Sequence, residues 1–265
     1  MISRNFLRFS SKISRLSGCA ASLTTQASEF INPHPLLEEN RTIHDLRAFK
    51  GMMTKGYPSD VKPEPTPRGM SGSETTAIIP MSDPAFRAGY VTAGYHVRFG
   101  RVLEDLDTLA VCTCYKHNEP LRDWKTNTSP VGVVTAMVDE LDIHKYKLCP
   151  ETDIKIVGKV SHTGSSSMEV FMEVYQGEDL AMEAVFIMVA TDPKTGRGTK
   201  ICPVLAENDE EAEMIQDAEA RKRKRMIEAK MNLFKNPPSE EEGVDIYRKK
   251  NQKYEKLPFL EFFYF

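Results

Sequence analysis

Two carboxylates, Asp105 and Asp107, stand two residues apart in the stretch His96-Val97-Arg98-Phe99-Gly100-Arg101-Val102-Leu103-Glu104-Asp105-Leu106-Asp107-Thr108-Leu109-Ala110. Leu103, Leu106, Ala110 and Cys114 recur at helical spacing, so this stretch reads as an amphipathic helix with one apolar stripe. Gly100 is a natural point for the backbone to turn into it. At about 100° per residue, Asp105 falls about 160° from Leu103 and points to water, whereas Asp107 falls about 40° away, at the edge of the stripe. The expected fates therefore differ: Asp105 is solvated and Asp107 sits against a sheet. A carboxylate placed like Asp107 can act as a general base on water or as a nucleophile. The N-terminus of the same helix offers unpaired N–H groups and a partial positive charge, which can hold a developing oxyanion. Periodicity alone leaves a second reading of Asp107 open, an early-helix acid that favours the dipole or bonds a neighbouring amide. Glu104 and Asp105 are read only in that second way.

The elements that must position this helix lie on either side of it. Ser73 to Ser82 reads as a first strand, followed by a loop from Asp83 to Arg98 and the helix to His117, where Asn118-Glu119-Pro120 stops it. Val131 to Ile143 is a β-branched run. Thr152 to Thr163 alternates, with Ile154, Ile156, Gly158 and Val160 on one face. Thr163-Gly164-Ser165 turns the chain. In Ser167 to Gln176, Met168, Val170, Met172 and Val174 face one way and Glu169 and Glu173 the other. Gly177-Glu178-Asp179 turns it again, into the nearly all-apolar run Ala181 to Ala190, which suits a strand covered on both faces or paired across an interface. Short turns make these strands antiparallel neighbours. The fold class is α+β, an antiparallel sheet wrapped around one long central helix.

Composition narrows the function classes. A net charge of −3 over 265 residues gives no bulk attraction to nucleic acid or to a membrane surface. No apolar run is long enough to span a bilayer. The five cysteines include no CxxC pair, which argues against a zinc site or a disulfide framework; Cys112 and Cys114 read as core thiols. His96 and His117, which flank the helix, read as loop or packing residues. Gly196-Arg197-Gly198 reads as a turn, since no phosphate-loop context surrounds it.

The chain divides into four stretches. Residues 1–28 contain Arg4, Arg8, Lys12 and Arg15 and no acid, with Ile2, Phe6, Phe9, Ile13 and Leu16 at helical spacing, the composition of a cleavable mitochondrial transit peptide. Residues 29–72 are linker or irregular, with a short helix expected at 41–50. Residues 73–203 form the domain, and 204–265 a helical extension with a divergent apolar tail. Glu207 to Lys230 begins acidic and ends basic, as a helix dipole prefers. Its run Arg221-Lys222-Arg223-Lys224-Arg225 reads as a solvated face, although such a run could also bind anions.

The string Arg98-Phe99-Gly100-Arg101-Val102-Leu103-Glu104-Asp105-Leu106-Asp107-Thr108-Leu109-Ala110, then Tyr115-Lys116-His117-Asn118, resembles the first hotdog domain of mitochondrial acyl-coenzyme A thioesterases of the acyl-CoA thioesterase 9 group. Ser161 to Val170 and Phe186 to Asp192 fit the same domain, and the resemblance runs from about residue 75 to about 245. The group carries two hotdog domains per chain, and this sequence has room for the first, so it reads as a shortened product. The resemblance implies a hotdog fold and hydrolysis of acyl-CoA thioesters to fatty acid and CoA in mitochondria, with the matrix as the expected compartment. It implies Asp107 as the catalytic carboxylate and the amides of Phe99, Gly100 and Arg101 as the oxyanion site. It implies no metal and no cofactor, coenzyme A being part of the substrate. Implied partners are acyl-CoA and a second hotdog domain, from another copy or from a full-length double-hotdog chain; no nucleic acid is implied. In the double-hotdog enzymes the carboxylate works with an asparagine of the other domain. Before this helix stand Thr92, Gly94 and Tyr95, with no asparagine. The alternative is a non-catalytic hotdog subunit that binds acyl-CoA or pairs with full-length chains.

Overall fold

The computed structural model describes residues 42–53, 64–121, 129, 131–145, 147–231 and 237–255. The segment read as a transit peptide and the apolar tail lie outside them. The described elements are α1 (Ile43–Met53), β1 (Arg68–Gly69), β2 (Thr75–Ile79), α2 (Pro84–Arg87), α3 (Phe99–His117), β3 (Gly132–Ile143), β4 (Ile154–Thr163), β5 (Ser167–Gln176), β6 (Asp179–Thr191), β7 (Val204–Leu205), α4 (Asp209–Lys230) and α5 (Glu240–Glu255). Two compact units divide within α4, one ending at Ile215 and the other starting at Gln216.

The first unit is the expected hotdog arrangement. Its five-stranded antiparallel sheet has the order β2-β4-β5-β6-β3, which leaves β2 and β3 as edges. The long helix α3 packs against every strand of that sheet. Met168, Val170, Met172 and Val174 of β5 are fully buried, as the alternation requires, and so are Leu106, Leu109, Ala110 and Cys114 of α3. At Gly158 on β4 a Cβ would lie 2.9 Å from Leu109 Cδ2 and 3.0 Å from Met172 Cγ. A side chain there would have to displace Leu109 or Met172.

Helix α1 lies in the stretch read as linker, and it is part of the core. Ile43, Leu46 and Phe49 are at most 2% exposed. Their spacing gives α1 one apolar stripe, and α1 packs against both α3 and the edge strand β2. The central helix is thus buried by the sheet and by α1. Among the described residues, no helix is long and apolar enough to cross a membrane.

Candidate active site

The N-terminus of α3 begins at Phe99 after the extended residue Arg98, and no side chain caps it. First-turn amides have no partner inside their own helix. The Arg101 amide already donates to the Arg98 carbonyl at 2.9 Å, so of the three amides expected to form an oxyanion site, this one is committed elsewhere. Phe99 and Gly100 are both exposed, and a Cβ at Gly100 would meet nothing within 4 Å, so a ligand has room to approach these amides.

Asp107 lies seven residues after Gly100, about 10 Å along the helix axis. Its side chain is 35% exposed. Oδ1 accepts a short hydrogen bond from the Thr135 hydroxyl on β3, and Oδ2 pairs with Lys50 Nζ of α1 at 2.8 Å. The expectation that Asp107 sits against the sheet therefore holds. The partner Thr135 was not anticipated. Thr135 shares the face of Val133 in the regular part of β3, just before a register shift between Thr135 and Met137. The only sequence signal was a hydroxyl on the same strand face as the buried Val133.

Asp105 overturns its expectation. It is 0% exposed, not solvated. The Tyr90 hydroxyl donates to Oδ2 at 2.6 Å and Arg47 Nη2 of α1 makes a short contact with Oδ1, while the same Nη2 donates to the Tyr90 hydroxyl at 2.9 Å. The expected apolar stripe runs through Leu103, which is only partly buried, whereas Asp105 falls on the face of the fully buried Leu109, about 40° away. What covers that face is α1 together with the turn carrying Tyr90. Burial pushes the Asp105 carboxyl above the ordinary carboxylate range, against the downward pull of Tyr90 and Arg47. Phe86 stacks on Tyr90 with centroids 4.9 Å apart, and the Arg101 guanidinium lies 5.6 Å over the Tyr90 ring. Glu104 stays exposed and pairs with Arg101.

At the far end of α3, His117 is fully buried and its Nε2 lies 2.8 Å from the Cys202 carbonyl. A carbonyl only accepts, so Nε2 carries the proton and Nδ1 is left without a partner. Burial lowers this histidine to about 4, which makes it the packing residue expected. His96 stands in the exposed turn before α3. Cys112 and Cys114 are buried. Asp142, His144 and Glu183 form an exposed group whose ligand atoms lie within 4.8 Å of one another, and His144 pairs with Glu183 at 2.8 Å.

A cavity of about 160 Å³ opens between the α3 N-terminus and the end of the sheet. Phe99 and Val97 line it from the helix side, and Ile143, Val174 and Met182 from β3, β5 and β6. The described site thus has two parts: open amides beside an apolar cavity, and a half-exposed carboxylate two helical turns away.

No family model matches the chain. It is 38% identical over 216 residues to the mitochondrial acyl-coenzyme A thioesterase 9 of Bos taurus, a match that covers 80% of this chain and 46% of that one. It is 40% identical over 182 residues to the mitochondrial acyl-coenzyme A thioesterase 10 of Mus musculus, covering 66% of this chain and 41% of the other. The chain thus spans about half the length of the curated relatives it matches. A solved apo-hexameric acyl-CoA thioesterase superposes with a TM-score of 0.53 at 25% identity, over 63% of this chain and 99% of that one. An acyl-CoA hydrolase from Staphylococcus aureus, solved with butyryl coenzyme A and coenzyme A, shares the fold at a TM-score of 0.52 and 23% identity, over 71% of this chain and 99% of that one. In sequence, the matched stretch is similar to about half of the mitochondrial acyl-coenzyme A thioesterases 9 and 10, and it folds as a hotdog domain.

Proposed function

We propose that this chain hydrolyses acyl-coenzyme A thioesters in mitochondria, with each working site shared between two hotdog domains. One observation carries the reading: the two parts of the site lie against opposite ends of β3. Ile143, at the C-terminal end of that strand, joins Phe99 around the cavity. Thr135, toward the other end, bonds Asp107. β3 is an edge strand 12 residues long, and Val134, Met137, Val138 and Leu141 on it are exposed. Such an edge is a template for pairing with another strand. Antiparallel pairing of two copies about a two-fold axis sets the Thr135 end of one beside the Ile143 end of the other. Within one chain the helical rise of about 10 Å keeps Gly100 and Asp107 from serving one carbonyl. Across the pair, a thioester meets the amides of one domain and the carboxylate of the other.

The chemistry then follows. Asp107 takes a proton from water as its oxygen adds to the thioester carbon, and the Phe99 and Gly100 amides hold the oxyanion. The carbon–sulfur bond breaks, the coenzyme A sulfur leaves and takes up the proton, and a carboxylic acid remains. Coenzyme A enters as part of the substrate. The second domain comes from another copy of this chain or from a full-length relative. The basic, acid-free N-terminus supports a mitochondrial location, with the matrix as the proposed compartment.

A second reading, a subunit that binds acyl-CoA or pairs with full-length chains without turnover, has its own support. Both oxygens of Asp107 are already engaged, by Lys50 and Thr135, and the stretch Thr92 to Arg98 just before the helix holds no asparagine. A thiol-release assay with short, medium and long acyl-CoAs, run beside Asp107→Ala, separates the two. Turnover that the substitution abolishes supports hydrolysis; a folded, self-associating protein without turnover supports the binding subunit.

A further inference from the structure

We propose that Lys50 is a self-acylation site, which takes the acyl group of a bound acyl-coenzyme A thioester as an amide on its side-chain nitrogen. This rests on the reading of Asp107 as the carboxylate that meets the thioester, and adds a second acceptor for the same acyl group. Lys50 stands in the last turn of α1, and its Nζ lies 2.8 Å from Asp107 Oδ2. Thr135 holds the other oxygen. An amine therefore occupies one of the two places from which Asp107 can activate a water. The side chains of Lys50 and Asp107 are both about one-third exposed, so a ligand can reach them together. The amine also travels with the carboxylate. Whichever hotdog domain gives Asp107 to a shared site gives Lys50 from its own α1, so pairing along β3 keeps the two side by side.

A lysine amine is a nucleophile toward carbonyl carbon. Holding it beside the thioester replaces a chance encounter in solution. The Lys50 ammonium passes one proton across the contact to Asp107. The neutral nitrogen then adds to the thioester carbon while the Phe99 and Gly100 amides hold the oxyanion, and the carbon–sulfur bond breaks. Of the three ammonium protons, one stays on the amide nitrogen, one leaves on the coenzyme A sulfur and one goes from Asp107 to solvent. The product is uncharged, so the ion pair with Asp107 is lost. Two other groups show what reactivity without placement would give. Burial pushes the Lys116 ammonium below the ordinary lysine range, which makes it the amine favoured by reactivity alone. Cys149 is an exposed thiol, and an acyl group on it is a thioester, which hydroxylamine removes while an amide survives.

The test incubates the full chain with acetyl-CoA or butyryl-CoA, treats it with neutral hydroxylamine and maps acylated lysines by mass spectrometry. Lys50 is expected to label about tenfold or more faster than the exposed Lys200 and Lys224. Its rate should saturate with acyl-CoA and fall when free coenzyme A competes. Lys50→Arg keeps the cation and should remove the single acyl mass from the intact chain. Labelling of Lys50 no faster than Lys200, Lys116 labelled ahead of it, a rate that neither saturates nor responds to coenzyme A, or an undiminished acyl mass on Lys50→Arg overturns the proposal. Thiol release without acylated Lys50 removes the proposal and keeps the hydrolysis reading. Acylated Lys50 in a chain that releases no more thiol than the acyl it takes up does the reverse.

Discussion

Asp105 and Asp107 sit on one helix, two residues apart, and both are met by side chains of α1, yet they occupy different worlds. Asp105 is fully buried, with Tyr90 and Arg47 on its two oxygens. Asp107 is about one-third exposed and is held by one lysine and one threonine at the edge of the sheet. A buried carboxylate closed in by its donors ties elements together, and its removal leaves those donors stranded. A carboxylate that water can reach, beside an edge strand, is free to exchange a proton with a substrate. On the proposed reading, burial separates the structural acid from the chemical one, and residue type does not.

The sharpest test of the contrast is Asp107→Asn. Loss of a general base lowers thioester turnover by a factor of about 10² to 10⁴, while the thermal melting temperature stays close to that of the parent. Asp105→Ala does the opposite. It costs about 3–5 kcal/mol in denaturant unfolding, because it strands Arg47 and Tyr90. If Asp107→Asn unfolds the protein or Asp105→Ala is harmless, the contrast fails.

A buried base at the other end of the same helix extends the comparison to pH. His117 is lowered to about 4 in the folded chain from an ordinary value of 6.5. Between those values the unfolded chain binds more protons, so stability rises with pH across that window and is lost as pH falls from 6.5 toward 4. The slope from this residue approaches about 1.4 kcal/mol per pH unit. Urea midpoints measured from pH 7 to pH 4 should show it, and His117→Gln should flatten it.

Smaller effects probe α1 and its partners. Tyr90→Phe removes one of the two donors to Asp105 and costs about 1–2 kcal/mol in chemical denaturation. Lys50→Met breaks a partly exposed ion pair and changes stability by less than about 1 kcal/mol. A larger loss in the lysine variant would make Asp107 a structural residue like Asp105.

Much of this arrangement was legible in the chain. The central helix and the strands after it announced themselves through period, because a sheet that buries one face alternates and a helix that buries one stripe recurs every three to four residues. Ser167 to Gln176 matches its strand end to end. The pairing of Asp107 with Thr135 was not legible, since alternation puts that hydroxyl on the Val133 face but does not say which helix residue it meets, 28 positions away. The role of Arg47, Lys50 and Tyr90 was equally hidden. They lie 58, 57 and 15 residues from the acids they bond, and only folding brings them close.

By itself the sequence determined the antiparallel sheet, the helix it wraps and the set of acids that helix carries, because hydrophobic period and turn chemistry are local. Tertiary structure alone decided which acid is sealed and which stays wet. That choice depends on α1 folding back over the Asp105 face of α3, and on an edge strand left open with Asp107 beside it. Burial is a property of what covers a face, and the covering element lies some fifty residues away in the chain.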